Sequence, residues 1–130
     1  MSNLTKFSST WQEGPHKIEV RVTLILFEDS NSHVVYCPAL DLSGYGQTEK
    51  EAMESFRISL EEFIHYTMNK KTFYSELRRL GWKIKGQKAQ NRGAIKPPDI
   101  SDLLQKNANF SNIFNNFPFR KIDEQIELPV

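Results

Sequence analysis

The sequence predicts an α+β domain in which a small antiparallel sheet packs against one long helix. From Lys17 to Leu26, polar and apolar residues alternate with the period of two that is typical of a half-buried strand. After Thr48, apolar residues recur at steps of three and four, which is the pattern of an amphipathic helix. Because the sheet must cover one face and the helix must bury its stripe, the two are expected to pack together.

The strands come first in the predicted order β-β-β-α-α-β. Ile18 to Leu26 is the first strand, Glu28 to Ser32 supplies turn residues, and His33 to Cys37 is the second strand of a hairpin. A short third strand is expected between Leu40 and Gln47 before the helix begins.

The long helix has a defined start. Gly44 and Gly46 precede it, and glycines at such a place allow positive φ or a close approach of two backbones. Thr48 and Glu51 form a capping box, in which the threonine oxygen accepts the amide of the third helical residue and the glutamate reaches back to the amide of the cap. The predicted apolar stripe consists of Ala52, Met53, Phe56, Leu60, Phe63, Ile64 and Met68.

A second, shorter helix is expected to start at Lys71 and to end at Gly81, which would act as a left-handed cap. The next four residues, Trp82 to Lys85, are interpreted as a brief strand that returns to the edge of the sheet. Beyond them the chain loses periodicity and gains Gly, Gln and Pro, which indicates a linker.

The last part of the chain predicts two short helices and a strand. Asp99 begins a capped helix, and Phe110 to Phe117 keep helical spacing although asparagines interrupt them. Ile122 to Val130 alternate as a final strand. The predicted division is therefore a loosely ordered lead-in (1–15), a domain (16–86), a linker (87–98) and a C-terminal extension (99–130).

The run Pro-Ala-Leu-Asp-Leu-Ser-Gly-Tyr-Gly-Gln-Thr-Glu-Lys-Glu-Ala from Pro38 to Ala52, with a strand before it and an amphipathic helix after it, resembles the HicB family of antitoxins. These proteins are partners of the HicA mRNA-cleaving toxins. The resemblance covers about Ile18 to Lys85 and implies a fold and a protein partner rather than a catalytic site. The candidate partner-binding residues are Tyr36, Leu40, Leu42 and Tyr45.

The resemblance implies that the chain is a HicB-like antitoxin, or a module derived from one, that masks an mRNA-cleaving toxin. Typical members continue into a helix-turn-helix or ribbon-helix-helix DNA-binding domain. The sequence after Gly86 shows neither pattern, so repression of its own operon is not expected. A solo assembly protein with a HicB-like fold and no toxin partner is the alternative.

Charge is distributed unevenly along the chain. Residues 1–69 carry five basic and ten acidic side chains, whereas 70–96 carry nine basic side chains and only Glu76 as an acid. Such polarisation bears on partners rather than on fold. One interpretation is a nucleic-acid contact, since cations interleaved with an aromatic residue suit phosphate backbones. The other is contact with the acidic half of this chain or of a second copy. The residues concerned are Arg78, Arg79, Trp82, Lys83 and Lys85.

No enzyme activity, metal or other cofactor is predicted. The sequence has no Gly-x-Ser-x-Gly elbow, and no Lys-Ser or Lys-Thr follows Gly46 as a phosphate loop requires. Glu61, Glu62 and His65 have a spacing found in metal-binding bundles, but no second helix repeats it, so they are interpreted as solvated surface. The single Cys37 excludes a disulfide within the chain.

Two expectations concern the whole protein. A cytoplasmic location is predicted because no apolar run reaches the roughly twenty residues of a membrane helix and no signal pattern opens the chain. A homodimer or larger oligomer is predicted because the C-terminal strand would present an apolar face and unpaired edges.

Overall fold

The computed structural model describes residues 6–7, 17–85 and 95–129 and has an α+β fold. This part of the chain contains seven strands and four helices. They are β1 (Lys6–Phe7), β2 (Lys17–Asp29), β3 (Ser32–Cys37), β4 (Leu42–Gly46), α1 (Glu49–Asn69), α2 (Phe73–Arg79), β5 (Lys83–Ile84), β6 (Ile95–Lys96), α3 (Ile100–Lys106), α4 (Ala108–Asn116) and β7 (Arg120–Pro129).

The main sheet has the strand order β1-β7-β2-β3-β4. Strands β7, β2, β3 and β4 are antiparallel to their neighbours, while β1 runs parallel to β7. The long β2 occupies the centre, since it pairs with β7 from Lys17 to Leu26 and with β3 from Ile25 to Asp29. The remaining two strands, β5 and β6, form a separate antiparallel ribbon.

Helices α1 and α2 cover the first face of the sheet, and the periodicity predicted this cover for α1. The alternating residues of β2 all belong to one buried core with the helices: Ile18, Val20, Val22, Leu24 and Leu26. On α1 the predicted stripe is confirmed, because Ala52, Phe56, Leu60 and Ile64 are buried and Met53, Phe63 and Met68 pack against them.

Helices α3 and α4 cover the opposite face of the sheet, which the sequence analysis left uncovered. Leu103 of α3 and Phe110 of α4 are buried against Ile25, Phe27 and Val34 in a second core. A signal for it exists in the sequence. Four consecutive apolar residues from Leu24 to Phe27 are typical of a strand that is buried on both faces.

The predicted cap of α1 is present, with one difference. The Glu51 amide donates to Thr48 Oγ1 at 3.1 Å, as expected. The Glu51 carboxylate accepts from the amide of Gln47 at 2.9 Å instead of from the amide of Thr48. The box therefore secures the residue before the cap as well as the first turn of the helix.

Gly44 and Gly46 lie within β4 and allow α1 to approach its backbone. A Cβ on Gly44 would stand 2.2 Å from the Phe56 amide nitrogen, and one on Gly46 would stand 2.6 Å from that of Ala52. Close approach is therefore the reason for both glycines. Positive φ is found instead at Gly81, with 101°, just after α2, as the predicted left-handed cap requires.

The C-terminal extension completes the main sheet. Strand β7 lies between β1 and β2, and its Ile126 and Leu128 are buried in the first core. The strand predicted at Trp82 to Lys85 does not return to the edge of the main sheet. Its residues Lys83–Ile84 pair instead with Ile95–Lys96, which lie within the predicted linker. Residues 1–5 and 8–15 of the predicted lead-in and 87–94 of the predicted linker lie outside the described residues.

The pairing of β7 bears on the predicted oligomer. The strand is paired with β2 along its length and with β1 at Gln125 and Ile126, and its apolar residues are buried within the chain. The unpaired strand that motivated the homo-oligomer is therefore already satisfied by intramolecular contacts. Self-association stays a prediction that needs another surface.

Candidate functional site

The structure leaves one of the four predicted partner-binding residues exposed. Tyr36 and Leu40 are buried at 3% and 2% exposure, and Leu42 is partly buried against the first core. Tyr45 is 62% exposed. Tyr36 and Leu40 are used in packing, so neither presents a side chain to a partner. Of the predicted residues, Tyr45 remains exposed, and Leu42 is partly buried on the opposite face of β4.

Tyr36 has a role inside the fold instead. Its hydroxyl donates to Asp41 at 2.5 Å and accepts from the Asn107 side-chain amide at 2.8 Å. Burial, followed by the hydrogen bond to Asp41, raises the pKa of Tyr36. The network joins β3 to the start of α4, where the Asn107 side chain also accepts the Phe110 amide at 3.1 Å.

The solvent face of α1 carries exposed apolar side chains that the sequence analysis did not select. Ile58 is 46% and Tyr66 is 64% exposed. Together with Glu54 and Glu62 they follow one another at steps of four residues, so they form a single row on the helix. The sequence contains a signal for this exposed row, because Ile58 and Tyr66 are apolar residues that fall outside the apolar stripe of this helix.

This row is set in an acidic helix. Helix α1 contains five glutamates against Lys50 and Arg57. Arg57 forms ion pairs with Glu54 and Glu61, and its hydrogen bond lowers the pKa of the Glu54 carboxyl. The Lys70 ammonium lies 6.0 Å from the centroid of the Tyr66 ring, at the end of the row. We refer to Glu54, Ile58, Glu62 and Tyr66 as the α1 row.

The backbone of Tyr45 lies beside this helix, on the edge strand β4. Its backbone amide donates to Ser55 Oγ at 3.1 Å, and Ser59 Oγ donates to the Ser43 carbonyl at 2.9 Å. Two serines of α1 thus satisfy backbone groups of an edge strand, which otherwise invite pairing with another chain. The edge of the sheet is consequently a poor place for strand addition, and side chains are the more suitable contacts.

The basic segment is partly exposed. Trp82 is only 3% exposed, and its indole nitrogen donates to the Ala39 carbonyl at 2.7 Å. It therefore anchors the chain to the first core, which corrects its prediction as a nucleic-acid contact. Arg79 is bound to Glu76 by a hydrogen bond of 2.7 Å. Arg78, Lys83 and Lys85 are exposed.

A cavity of about 470 Å³ lies where α2, the turn after β3 and the junction of α3 and α4 meet. Its charged lining residues are Asp41, Arg78, Arg79, Asp102 and Lys106. Cations and carboxylates are mixed here, and Asp41 also accepts from the Asn109 side-chain amide at 3.4 Å. The charges do not converge on one kind of ligand.

Cys37 is a free cysteine that is buried in the first core. Burial raises the pKa of Cys37 to about 12, so the thiol is protonated and unreactive near neutral pH. In the part of the chain that the structure describes, no three His, Cys, Asp or Glu side chains are grouped so that they could hold a metal ion. This includes the set Glu61, Glu62 and His65.

Among the helices described, none has the length and apolar character to cross a membrane.

Comparison with known proteins identifies no relative, because no family model, curated protein or solved structure matches the chain.

Proposed function

We propose that this protein is a HicB-like protein-binding module that masks a basic, mRNA-cleaving toxin through the solvent face of α1. The observation that carries the proposal is the α1 row, in which Ile58 and Tyr66 stand exposed among glutamates. Two large apolar side chains on one helix face are typical anchors of an interface, and the acidic surroundings select a basic partner.

The dimensions of the row suit such a contact. Ile58 and Tyr66 are eight residues apart, which is about 12 Å along a helix at about 1.5 Å per residue. This length is close to that over which a helix presents anchors to a groove on its partner, at positions i, i+3 or i+4 and i+7. Tyr45 is not part of this surface, because it pairs with Val34 of the second core and its side chain therefore lies on the face of the sheet opposite α1.

The glutamates and the apolar residues of the α1 row are expected to contribute differently to specificity and affinity. Glu54 and Glu61 are already paired with Arg57, whereas Glu62 has no ion-pair partner among the described residues. Exposed carboxylates at the rim of an interface chiefly raise the association rate and suppress wrong partners. The free energy of binding is therefore expected from Ile58 and Tyr66, and the preference for a basic protein from the glutamates.

The experiment is co-expression with a HicA-like toxin in a host whose growth the toxin stops, together with a binding titration of the purified pair. If a neighbouring reading frame encodes a short basic protein, that protein is the first toxin to test. The wild type should restore growth. Tyr66→Ala with Ile58→Ser should weaken binding about tenfold or more, which corresponds to about 1.4 kcal/mol.

Phe114→Ser is the matched control, because Phe114 is a similarly exposed apolar side chain on α4, at 45%. It should leave binding unchanged. Equal loss in both variants would mean that general stability, and not the α1 row, controls the interaction. A wild type that neither binds the toxin nor restores growth would overturn the proposal and favour a solo assembly protein.

A further inference from the structure

The ribbon of β5 and β6 has one apolar face and one basic face. Ile84 and Ile95 are paired directly opposite each other and pack into the first core, where Ile95 is buried. Lys83 and Lys96 are the other directly opposite pair, and both are exposed. Residues opposite each other in antiparallel strands share a face, and neighbours alternate. The two lysines therefore project together from the outer face.

This pair is unfavourable in the isolated protein. Like charges that stand directly opposite each other on two strands destabilise the pairing, and their Cβ atoms are about 5 Å apart. Lys85, two residues after Lys83, adds a third ammonium group on the same side by the period of two. An anion bound across these lysines would remove the repulsion, so the outer face is preorganised for negative charge.

The ribbon also adjoins the cavity between α2 and the junction of α3 and α4. A Cβ on Gly81, two residues before Lys83, would stand 3.2 Å from the Cβ of Pro98, two residues after Lys96. Gly81 and Pro98 both line the cavity of about 470 Å³, as do Arg78 and Lys106. The open end of the ribbon thus continues into a cavity where Arg78 and Lys106 stand beside Asp41 and Asp102, so the unmixed positive charge is confined to the ribbon itself.

We infer that the outer face of the ribbon, made by Lys83, Lys85 and Lys96, binds the phosphodiester backbone of a nucleic acid. Lysines act as point charges toward phosphates and release condensed counterions when they bind. Trp82 is buried against Ala39, so the aromatic residue of this segment is not available to stack on a base. The contact is consequently to phosphates and independent of base sequence.

The inference is tested by fluorescence anisotropy with a labelled single strand of about 20 nucleotides, as RNA and as DNA, from about 50 to 200 mM salt. Wild-type protein should bind at low salt and lose affinity steeply as salt rises. Lys83→Ala with Lys96→Ala should weaken binding about tenfold or more and reduce the slope of log K against log salt by about 1.4. Lys83→Arg with Lys96→Arg should retain the wild-type affinity and the wild-type salt slope.

Lys50→Ala with Lys121→Ala is the matched control, since it removes the same charge from exposed positions on α1 and β7. It should keep the wild-type salt slope within error. A difference in affinity between the RNA strand and the DNA strand would identify which nucleic acid the protein binds. Equal loss in the two double variants would overturn the inference, because any two positive charges would then serve.

Stability gives an independent readout of the lysine pair. Lys83→Glu places an opposite charge across from Lys96, so its melting temperature should rise while nucleic-acid binding is lost. Absence of wild-type binding at about 50 mM salt would also overturn the inference. A third result would also overturn it: wild-type protein that binds no nucleic acid but self-associates, with the self-association abolished in Lys83→Ala with Lys96→Ala. The basic face would then be an interface between copies of this chain.

Discussion

Single residues control how closely the two layers of the first core approach each other. Gly44 is the clearest case, because the nearest atoms to an added Cβ belong to the backbone of α1 and not to a flexible side chain. Backbone atoms of a helix cannot move individually. A methyl group at this position therefore has to displace α1 or β4 as a whole.

Gly44→Ala is expected to lower the free energy of unfolding by about 3 kcal/mol, since overpacking of this kind costs about 1 to 3 kcal/mol and occasionally more. Ser43→Ala, in the same strand, is the control and should change stability by less than about 1 kcal/mol. Urea denaturation measures both. Gly44→Ala with wild-type stability would show that α1 does not approach β4 so closely.

At the scale of elements, α1 has three faces with different tasks. Its apolar stripe covers the sheet, its serines satisfy the edge strand β4, and the α1 row is exposed. Substitutions on the three faces should therefore have separable effects. Stability is expected to follow the stripe and the cap, and partner binding is expected to follow the row.

Phe56→Ala should lower the free energy of unfolding by about 3 to 5 kcal/mol, because the side chain is fully buried and truncation leaves a cavity. Thr48→Ala should cost about 1 kcal/mol through the lost bond to the Glu51 amide. Ile58→Ala, on the exposed face, serves as the control with little effect. Thermal melts that coincide for Phe56→Ala and Ile58→Ala would contradict the assigned orientation of the helix.

For the whole molecule, the arrangement of β7 decides what folds as a unit. The strand contributes ten residues of pairing to β2 and buries Ile126 and Leu128 between the sheet and the helices of the first face. Leu103 and Phe110 close the second face. The segment 16–86 therefore depends on residues from the end of the chain for a neighbour to its longest strand and for the second half of its core.

A chain that ends at residue 98 is accordingly expected to lose cooperative unfolding, and circular dichroism with urea titration measures this. A synthetic peptide of residues 120–130 supplies only the missing strand, so its addition should recover part of the circular dichroism signal of the full chain. A truncated chain that unfolds cooperatively near the wild-type midpoint would instead support the independent domain 16–86 predicted from the sequence.

The sequence by itself determined the local structure and the first core. Ile18 to Leu26 alternate, Thr48 and Glu51 cap a helix, and Phe56 lies on its stripe, because these signals depend on neighbours within one or two turns. The same signals explain why Ile58 and Tyr66 can be found in hindsight as apolar residues outside the stripe. Local periodicity identifies which side of an element is apolar, and this much was predictable.

Only the tertiary structure decided what each apolar side contacts. Placing β7 beside β2 brings together residues about a hundred positions apart, and no local pattern encodes that pairing. The same long-range packing buried Tyr36, Leu40 and Trp82, which the sequence had presented as surface candidates, and it placed Lys83 opposite Lys96. Exposure and register depend on distant segments, so they became known only when the chain was folded.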